Sequence, residues 1–372
     1  MKKVLLVATV QSHICQFHKP LMKLLTENGY EVHVAARDNL AEKNGLKMEY
    51  ASKVFNVQFK RSPFDPRNLS AYKAFSKILK ENSYDIIHCN TPVGGIIARI
   101  AGNKYRKKGT KVFYTAHGFH FYNGAPKMNW LIYYPIEKFM ARFTDKLVTI
   151  TNEDFDLAEK KFKCDIFHLH GVGANSARFF PLCQEEMKKQ KEELGLSGKI
   201  ILNVGELLPN KNQKVAVKAM KKILEKYPDA TLLIAGNGSE KENLEALIKT
   251  EGLENNVKLL GYTREVNKYM QVCDLLVACS YREGLPLNLM EAMLCGKPVV
   301  ASVNRGHREL VEEGINGFLF APDNNTELEE NVFKVFEANT FDQSKIIDSV
   351  QPFTNINVEK ELKKLYNLEE NL

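Results

Sequence analysis

The sequence is poor in features that stabilise small secreted or metal-bound proteins. Its 372 residues include seven scattered cysteines, an odd number with no C-x-x-C pair, which indicates reduced thiols rather than a disulfide frame. No G-x-G-x-x-G motif occurs, so a nicotinamide fingerprint is absent. Asp274 has no D-x-D partner, and no His/Cys cluster shows metal-ligand spacing. We therefore expect no metal and no cofactor.

Long apolar runs are also lacking. A membrane-spanning helix needs about 20 apolar residues, and the longest runs here, such as Val4–Val10, are much shorter. We interpret Val4–Val10 as a first buried strand rather than as part of a signal peptide, because no small-residue cleavage site follows it. These absences favour a protein of the cytoplasm.

Charge divides the chain into two unlike halves. Residues 1–182 contain 28 Lys or Arg against 15 Asp or Glu, a net +13, whereas residues 183–372 contain 24 against 30, a net −6. The halves are therefore expected to meet different partners. The basic half suits nucleic acid, an anionic lipid surface or a phosphorylated substrate, but it has no groove-reading motif, which argues against nucleic acid.

Short apolar runs alternate with helical periodicity along almost the whole chain, which predicts parallel sheets covered on both faces. The fold class is thus α/β, with two Rossmann-like doubly wound domains facing a central cleft. We place domain one at residues 1–180 and domain two at 181–354, with the hinge within Gly171–Gly198. An amphipathic C-terminal helix within 355–372 is expected to cross back to the first domain. The predicted strands are Val4–Thr9, Tyr30–Ala35, Val54–Val57, Asp85–His88, Lys111–Thr115, Lys146–Ile150, Ile166–Leu169, Lys199–Val204, Thr231–Ala235, Val257–Leu260, Leu275–Ala278, Pro298–Ala301 and Gly317–Phe320.

Ligands of such sheets bind where the strands end, and two carboxylates follow one strand of the second half. Glu283 precedes a predicted helix that Pro286 begins, and Glu291 lies inside that helix. Backbone N–H groups in the range Gly284–Leu287, such as those of Gly284 and Leu285, would face an incoming anion or hydroxyl. Carboxylates accept hydrogen bonds from sugar hydroxyls. The simpler alternative is a charged cap and an exposed glutamate.

The E-x7-E segment, with its GLP and EAM letters, resembles the retaining glycosyltransferase family 4, which has the GT-B fold, and in particular its capsular and exopolysaccharide members. Further segments match in order over nearly the whole chain. The resemblance implies that Glu283 lies near the transferred sugar and that Glu291 holds the ribose. It also assigns the donor diphosphate to Lys211, at the predicted start of a helix. Many relatives have an arginine where this chain has Glu206. Either another base such as Arg282 or Arg305 supplies the second positive charge, or Lys211 and backbone amides suffice.

Other positions follow from the same resemblance. Gly205 and Gly236 lie in loops after strands, and Tyr262 belongs to a segment that meets the nucleotide base. Glu309 is expected either to contact donor hydroxyls or to be a helix-start charge. In the first half, His117 is expected near the reaction centre, in the family's acceptor-side histidine segment. The other acceptor-side candidates are His13, Asn90 and His120.

The resulting hypothesis is a retaining glycosyltransferase of cell-surface polysaccharide biosynthesis. It would move a hexose-type sugar from a nucleotide-sugar, with UDP favoured, to a lipid-pyrophosphate-linked or saccharide acceptor. The basic run Lys104–Lys111, with Tyr122, Trp130, Tyr133 and Tyr134, predicts contact with the inner face of the membrane. The alternatives are a nucleotide-sugar epimerase or hydrolase of the same architecture, and a non-catalytic nucleotide-sugar-binding subunit.

Overall fold

The computed structural model describes residues 1–42, 46–337 and 341–368. The chain forms two compact units. Unit 1 comprises Met1–Val172 and the chain from Val358 onward, and unit 2 comprises Gly173–Asn357. The chain passes from unit 1 to unit 2 after Val172, within the predicted hinge segment Gly171–Gly198, and returns to unit 1 after Asn357.

Unit 1 is built on a seven-stranded parallel sheet with the order β3-β2-β1-β4-β5-β6-β7. Its central strand β1 is buried along most of its length, because helices cover both faces of the sheet. The strands are β1 Lys2–Val10, β2 Tyr30–Arg37, β3 Lys53–Asn56, β4 Ile86–Cys89, β5 Lys111–Ala116, β6 Lys146–Thr149 and β7 Asp165–His168. The helices are α1 Gln11–Phe17, α2 Lys19–Glu27, α3 Asn68–Glu81, α4 Pro92–Arg106, α5 Lys127–Met140 and α6 Asn152–Lys161.

Unit 2 contains a six-stranded parallel sheet with the order β10-β9-β8-β11-β12-β13. The strands are β8 Ile200–Val204, β9 Thr231–Ala235, β10 Val257–Gly261, β11 Leu275–Ala278, β12 Val299–Ser302 and β13 Gly317–Phe320. The helices are α7 Gln184–Glu193, α8 Lys214–Lys226, α9 Lys241–Thr250, α10 Val266–Val272, α11 Leu287–Leu294, α12 Arg305–Leu310, α13 Asn325–Glu337 and α14 Gln343–Val350. The predicted α/β class with two doubly wound units is confirmed.

The last helix, α15 (Asn355–Tyr366), returns to unit 1 from Val358 onward. Its apolar face joins the core beside β1 and β2 through Val358, Leu362, Leu365 and Tyr366. The Tyr366 hydroxyl lies 2.6 Å from Nδ1 of the buried His88, and Glu361 lies 2.6 Å from Nδ1 of His170. The amphipathic tail therefore completes the core of the first unit.

Strand order fixes where each unit can bind a ligand. In both sheets the order reverses at one place, between β1 and β4 in unit 1 and between β8 and β11 in unit 2. Loops that leave neighbouring strands at such a switch point diverge and open a crevice at the carboxyl edge. The segments that follow β1, β8 and β11 therefore hold the positions to examine.

Candidate active site

Lys211 and Glu283 meet at the switch point of unit 2. Lys211 Nζ lies 2.5 Å from Glu283 Oε1, and both side chains are partly exposed. Lys211 belongs to the segment after β8 and Glu283 to the segment after β11. The pair joins residues 72 positions apart, so the sheet order brings together two candidates that the sequence identifies separately.

Hydrogen bonds hold these two segments in register. Asn210 donates from Nδ2 to the Arg282 carbonyl over 2.9 Å, and the Tyr281 N–H donates to the Asn210 carbonyl over 2.9 Å. Lys211 is the last residue of the 3-10 turn Pro209–Lys211, and α8 begins three residues later. The prediction that Lys211 starts a helix is therefore wrong, because Asn212, with a left-handed φ of 52°, separates the turn from the helix.

Glycines let the neighbouring loops pack closely. Gly236 has φ 153°, and a Cβ there would overlap the carbonyl oxygen of Gly205. A Cβ on Gly306 would overlap the Gly284 carbonyl oxygen in the same way. The first contact joins the segments after β9 and β8, and the second places the first turn of α12 against the loop that holds Glu283. Close backbone approach is thus the physical reason for glycine at these positions.

Glu291 lies on α11, whose start is fixed when Asn288 donates from Nδ2 to the Val204 carbonyl over 2.9 Å. Burial raises the pKa of Glu291 to about 7, and the positive charge of Arg178 opposes that rise. Its carboxyl group has no hydrogen-bond partner among the residues that the structure describes. A half-buried carboxyl in this state is ready to accept a hydroxyl from a ligand. No hydrogen bond links it to Lys211 or Glu283.

The remaining donor-side candidates differ in exposure. Tyr262 is 59% exposed at the end of β10, and Arg282 and Glu206 are also exposed. Arg305 is buried at the first position of α12. Glu309 lies near the end of this six-residue helix, so the alternative that it is a helix-start charge is wrong. The segment Gly284–Pro286 leads into α11, and Pro286 is its N-cap.

His307 is a candidate that the sequence analysis missed. It lies on α12 and is 1% exposed, and its Nδ1 is 2.7 Å from the Ser302 carbonyl oxygen and 2.9 Å from Asn304 Nδ2. Its Nε2 has no partner in the described parts of the chain. Burial lowers the pKa of His307 to about 4; the hydrogen bond to the Ser302 carbonyl and the charge of Glu283 oppose this, and the charge of Lys211 adds to it. This histidine becomes a candidate because it lies near Glu283 and Lys211. The sequence alone does not show that proximity.

Three histidines converge at the carboxyl edge of unit 1. His13 lies in α1, directly after β1, His18 connects α1 to α2, and His117 follows β5. The ring centroids of His13 and His117 are 4.9 Å apart, and those of His18 and His117 are 5.4 Å apart. Burial lowers the pKa of His13 to about 4 and those of His18 and His117 well below their usual value. We call these side chains the three-histidine cluster. Their separation in the sequence gives no metal-ligand motif, yet the fold brings them together. The expectation that no His/Cys residues form a possible metal-ligand group is thereby corrected.

Asn90 and His120 do not join this cluster. Asn90 is fully buried, donates to the His88 carbonyl and leaves its Oδ1 without a partner in the described chain. Asn90 is therefore closed off from solvent in this structure, and its place on the acceptor side stays a prediction. His120 stacks on Tyr133 of α5, with ring centroids 4.6 Å apart.

Three aromatic residues of α5 are partly buried. Trp130, Tyr133 and Tyr134 pack against the core of unit 1, and Trp130 donates from Nε1 to the Tyr122 carbonyl. Contact of these rings with a membrane stays a prediction. The exposed apolar side chains of α5 are Met128, Leu131 and Phe139, which are 58%, 69% and 53% exposed.

Comparison with known proteins matches both units. Residues 184–348 match the family described as "Glycosyl transferases group 1", and residues 3–152 match "Glycosyl transferase 4-like". The structure is similar to that of HepE from Anabaena in complex with UDP and glucose, with a TM-score of 0.75 and 21% identity, covering 99% of this chain and 100% of that one. At this identity the likeness supports the fold alone.

Two relatives at higher identity cover most of the chain. The putative glycosyltransferase EpsD of Bacillus subtilis (strain 168) is 41% identical over 322 residues, which are 86% of this chain and 83% of EpsD. The UDP-Gal:alpha-D-GlcNAc-diphosphoundecaprenol alpha-1,3-galactosyltransferase of Escherichia coli is 32% identical over 68% of each chain. With the fold, the E-x7-E segment and these matches together, the chain belongs to glycosyltransferase family 4 and is a GT-B glycosyltransferase of the hexosyltransferase type.

Proposed function

We propose that this glycosyltransferase moves a hexose-type sugar from a UDP-sugar, with retention of anomeric configuration, to a lipid-diphosphate-linked or saccharide acceptor in cell-surface polysaccharide biosynthesis. The observation that carries the proposal is the Lys211–Glu283 pair at the switch point of unit 2. A cation and a carboxylate side by side at the carboxyl edge of a parallel sheet support binding of the diphosphate and the sugar of a nucleotide-sugar there.

Unit 2 binds the donor. Lys211 gives a charge-assisted hydrogen bond to the diphosphate, either by turning away from Glu283 or by using another of its three N–H donors. Arg305 lies at the start of α12, beside the loop that holds Glu283. It supplies the second positive charge to the diphosphate, which many relatives supply with an arginine at the position of Glu206. Glu291 accepts hydrogen bonds from the ribose hydroxyls. Because its carboxyl group is largely buried, gaining these hydrogen bonds stabilises the complex more than it would at an exposed position.

The transfer step is a single exchange at the anomeric carbon. The bond from C1 to the diphosphate oxygen breaks, and a bond from C1 to the acceptor hydroxyl oxygen forms on the same face. The hydroxyl proton passes to the departing diphosphate, whose negative charge Lys211 stabilises. Glu283, once free of Lys211, holds the sugar and faces the positive charge that develops at C1. No protein nucleophile takes part.

His117 serves the acceptor side. Its low pKa keeps the imidazole neutral at pH 7, so it can accept or donate a hydrogen bond without bringing a charge. We assign it to positioning hydroxyl groups near the reacting carbon, with His13 beside it.

The proposed donor and acceptor classes are supported by the ligands and the named substrates of similar proteins. The solved HepE complex contains UDP and glucose, and the E. coli relative is named for UDP-Gal and a diphosphoundecaprenol acceptor. We propose the same classes here. We also propose that transfer needs no metal ion, because Lys211 and Arg305 supply positive charge to the diphosphate.

A membrane surface fits the outer face of α5. Met128, Leu131, Pro135 and Phe139 recur at helical spacing on its exposed side, and Lys127, Lys138 and Arg142 lie beside them. An apolar stripe with basic neighbours is typical of helices that lie at an anionic bilayer surface. None of the helices in the described chain is long and apolar enough to cross a bilayer. We therefore propose peripheral contact at the inner face of the cell membrane.

The function is tested by incubating the purified enzyme with UDP-sugars and undecaprenyl-diphosphate-linked sugars, with and without EDTA. Proton NMR of the product reports the anomeric configuration. Retained α-linkage from an α-donor, unchanged by EDTA, is expected. Consumption of donor without acceptor would instead favour the epimerase or hydrolase, and nucleotide-sugar binding without any turnover would favour the non-catalytic subunit.

Membrane contact is tested by flotation with phosphatidylglycerol and phosphatidylcholine vesicles. The expected result is salt-sensitive binding to the anionic vesicles that Leu131→Ser and Phe139→Ser together reduce. Ile315→Ser, which changes an exposed apolar residue of unit 2, is the matched control. Equal flotation of all three proteins would refute the assignment to α5.

A further inference from the structure

We propose that the three-histidine cluster of unit 1, His13, His18 and His117, is a binding site for a divalent transition-metal ion, with Zn²⁺ as the best fit. One imidazole nitrogen from each side chain lies within 4.8 Å of the other two. Two of its members, His13 and His117, are the side chains that the proposed function assigns to the acceptor side, so the metal site is part of that side; positive charge for the diphosphate still comes from Lys211 and Arg305.

The spacing of the nitrogens is close to that of a tetrahedral site. The Nε2 atoms of His13 and His18 are 3.4 Å apart. Zinc binds imidazole nitrogen at about 2.0–2.1 Å, which for a tetrahedron puts two ligand atoms about 3.4 Å apart. The nitrogen of His117 lies within 4.8 Å of the other two, so a small inward rotation of its side chain would complete the set. Three protein ligands leave the fourth position for water or a ligand oxygen.

The state of the side chains also suits a metal. His117 Nε2 is buried and has no partner among the described residues, although a buried polar atom is normally hydrogen-bonded. Each side chain offers one imidazole nitrogen to the group, and no carboxylate belongs to it among the described residues. Three imidazole donors match the ligand preference of Zn²⁺, whereas Mg²⁺ and Ca²⁺ require oxygen ligands.

The backbone around the cluster is fixed, which favours a defined site. The His18 N–H donates to the Ile14 carbonyl, and the His18 carbonyl accepts from the Met22 N–H, each over 2.9 Å. His117 follows β5 directly, and Gly118 turns the chain away with φ 125°. The neighbouring His88 is excluded from the site, because Tyr366 and Thr115 occupy both of its nitrogens.

The test is titration of the chelator-treated full-length protein with Co²⁺, followed by competition with Zn²⁺. The expected result is one equivalent of Co²⁺ with the strong visible absorption of tetrahedral coordination, displaced by one equivalent of Zn²⁺. His18→Gln and His117→Gln should each weaken Zn²⁺ affinity by more than about 100-fold, beyond the 10–100-fold that changes outside the ligand set cause. His170→Gln, a partly exposed histidine of the same unit, is the control and should leave affinity unchanged.

Circular dichroism of each variant verifies folding, so that loss of the fold is not taken for loss of the site. Absence of stoichiometric binding, or equal affinity in the wild type and the His18 and His117 variants, would overturn the proposal. No glycosyl transfer is measured, so the metal site and the proposed function can fail independently.

Discussion

The side chains of Lys211 and Glu283 form a 2.5 Å ion pair across the switch point of unit 2. In the proposed function a diphosphate takes the ammonium group and a sugar takes the carboxylate, so we expect donor binding to weaken or break the pair. The pair thus keeps two reactive groups oriented in the free enzyme while satisfying their charges. Removing Lys211 should weaken donor binding, whereas removing the charge of Glu283 should lower turnover without weakening donor binding.

Lys211→Ala should weaken UDP binding by about 10–100-fold and leave uridine binding nearly unchanged. A hydrogen bond to a charged group contributes about 1.5–3 kcal/mol, and only UDP carries the diphosphate. Isothermal calorimetry with both ligands measures the difference. Lys218→Ala, an exposed lysine of α8, is the control. Equal losses for uridine and UDP would rule out the phosphate role of Lys211.

Glu283→Gln should lower kcat by about 100-fold or more, the range for removing a group that stabilises a transition state. UDP binding should be unchanged or tighter, because the lysine is no longer paired with a carboxylate. Steady-state kinetics and calorimetry on one preparation measure both quantities. Near-normal kcat would remove Glu283 from the chemistry, and Glu242→Gln on the exposed side of α9 is the matched control.

Glu291 makes stability depend on pH. Its folded-state pKa of about 7 lies above the ordinary 4.5, so the carboxyl group binds its proton more tightly in the folded protein. This contribution to stability is complete below pH 4.5 and is lost as pH rises through 7. At 1.36 kcal/mol per unit of pKa, Glu291→Gln should raise the free energy of unfolding by up to about 3 kcal/mol at pH 8.

Urea unfolding of the wild type and Glu291→Gln at pH 5 and pH 8, without nucleotide, checks this expectation. The advantage of the variant should shrink toward pH 5, where the wild-type carboxyl is largely protonated in the folded protein. A difference that is constant with pH would show that Glu291 ionises normally in the folded state.

A buried ion pair supports the core behind His117. Arg99 is 1% exposed, lies 2.8 Å from Glu137 Oε2 and stacks on the ring of Tyr114. Glu137→Gln leaves the guanidinium charge buried without a counter-charge, so we expect a loss of about 3–5 kcal/mol of unfolding free energy. Glu245→Gln, in an exposed pair with Lys241, should change stability by less than about 1 kcal/mol. Chemical denaturation of both variants measures the contrast, and a similar small loss in both would contradict this account.

Much of the fold could be predicted because strand signals here are local. All thirteen predicted strands overlap observed ones, since buried parallel strands are continuous apolar runs bounded by turns. The helix α1 was not predicted, because it follows β1 without a break and has no capping side chain. The start of α8 was placed three residues early, since the left-handed turn at Asn212 has no strong sequence signature.

Most residues of the candidate site could be predicted from the sequence, but which of them contact one another could not. Glu283, Glu291, Lys211 and His117 were identified from strand-end position and family resemblance. His18 and His307 were not, because each draws its significance from groups that only the fold brings near it. Asn90 does follow a strand, as predicted, but its complete burial could not be predicted, since burial depends on what covers the loop.

The sequence by itself determined the α/β class, the strands, the family and the residue types available for chemistry, because these depend on periodicity and on short local motifs. Only the tertiary structure decided that Lys211 pairs with Glu283, that α15 completes the core of unit 1 and that three histidines from separate segments share one edge. Such contacts join residues up to hundreds of positions apart. They follow from the order of strands in the sheets, which no local stretch of sequence encodes.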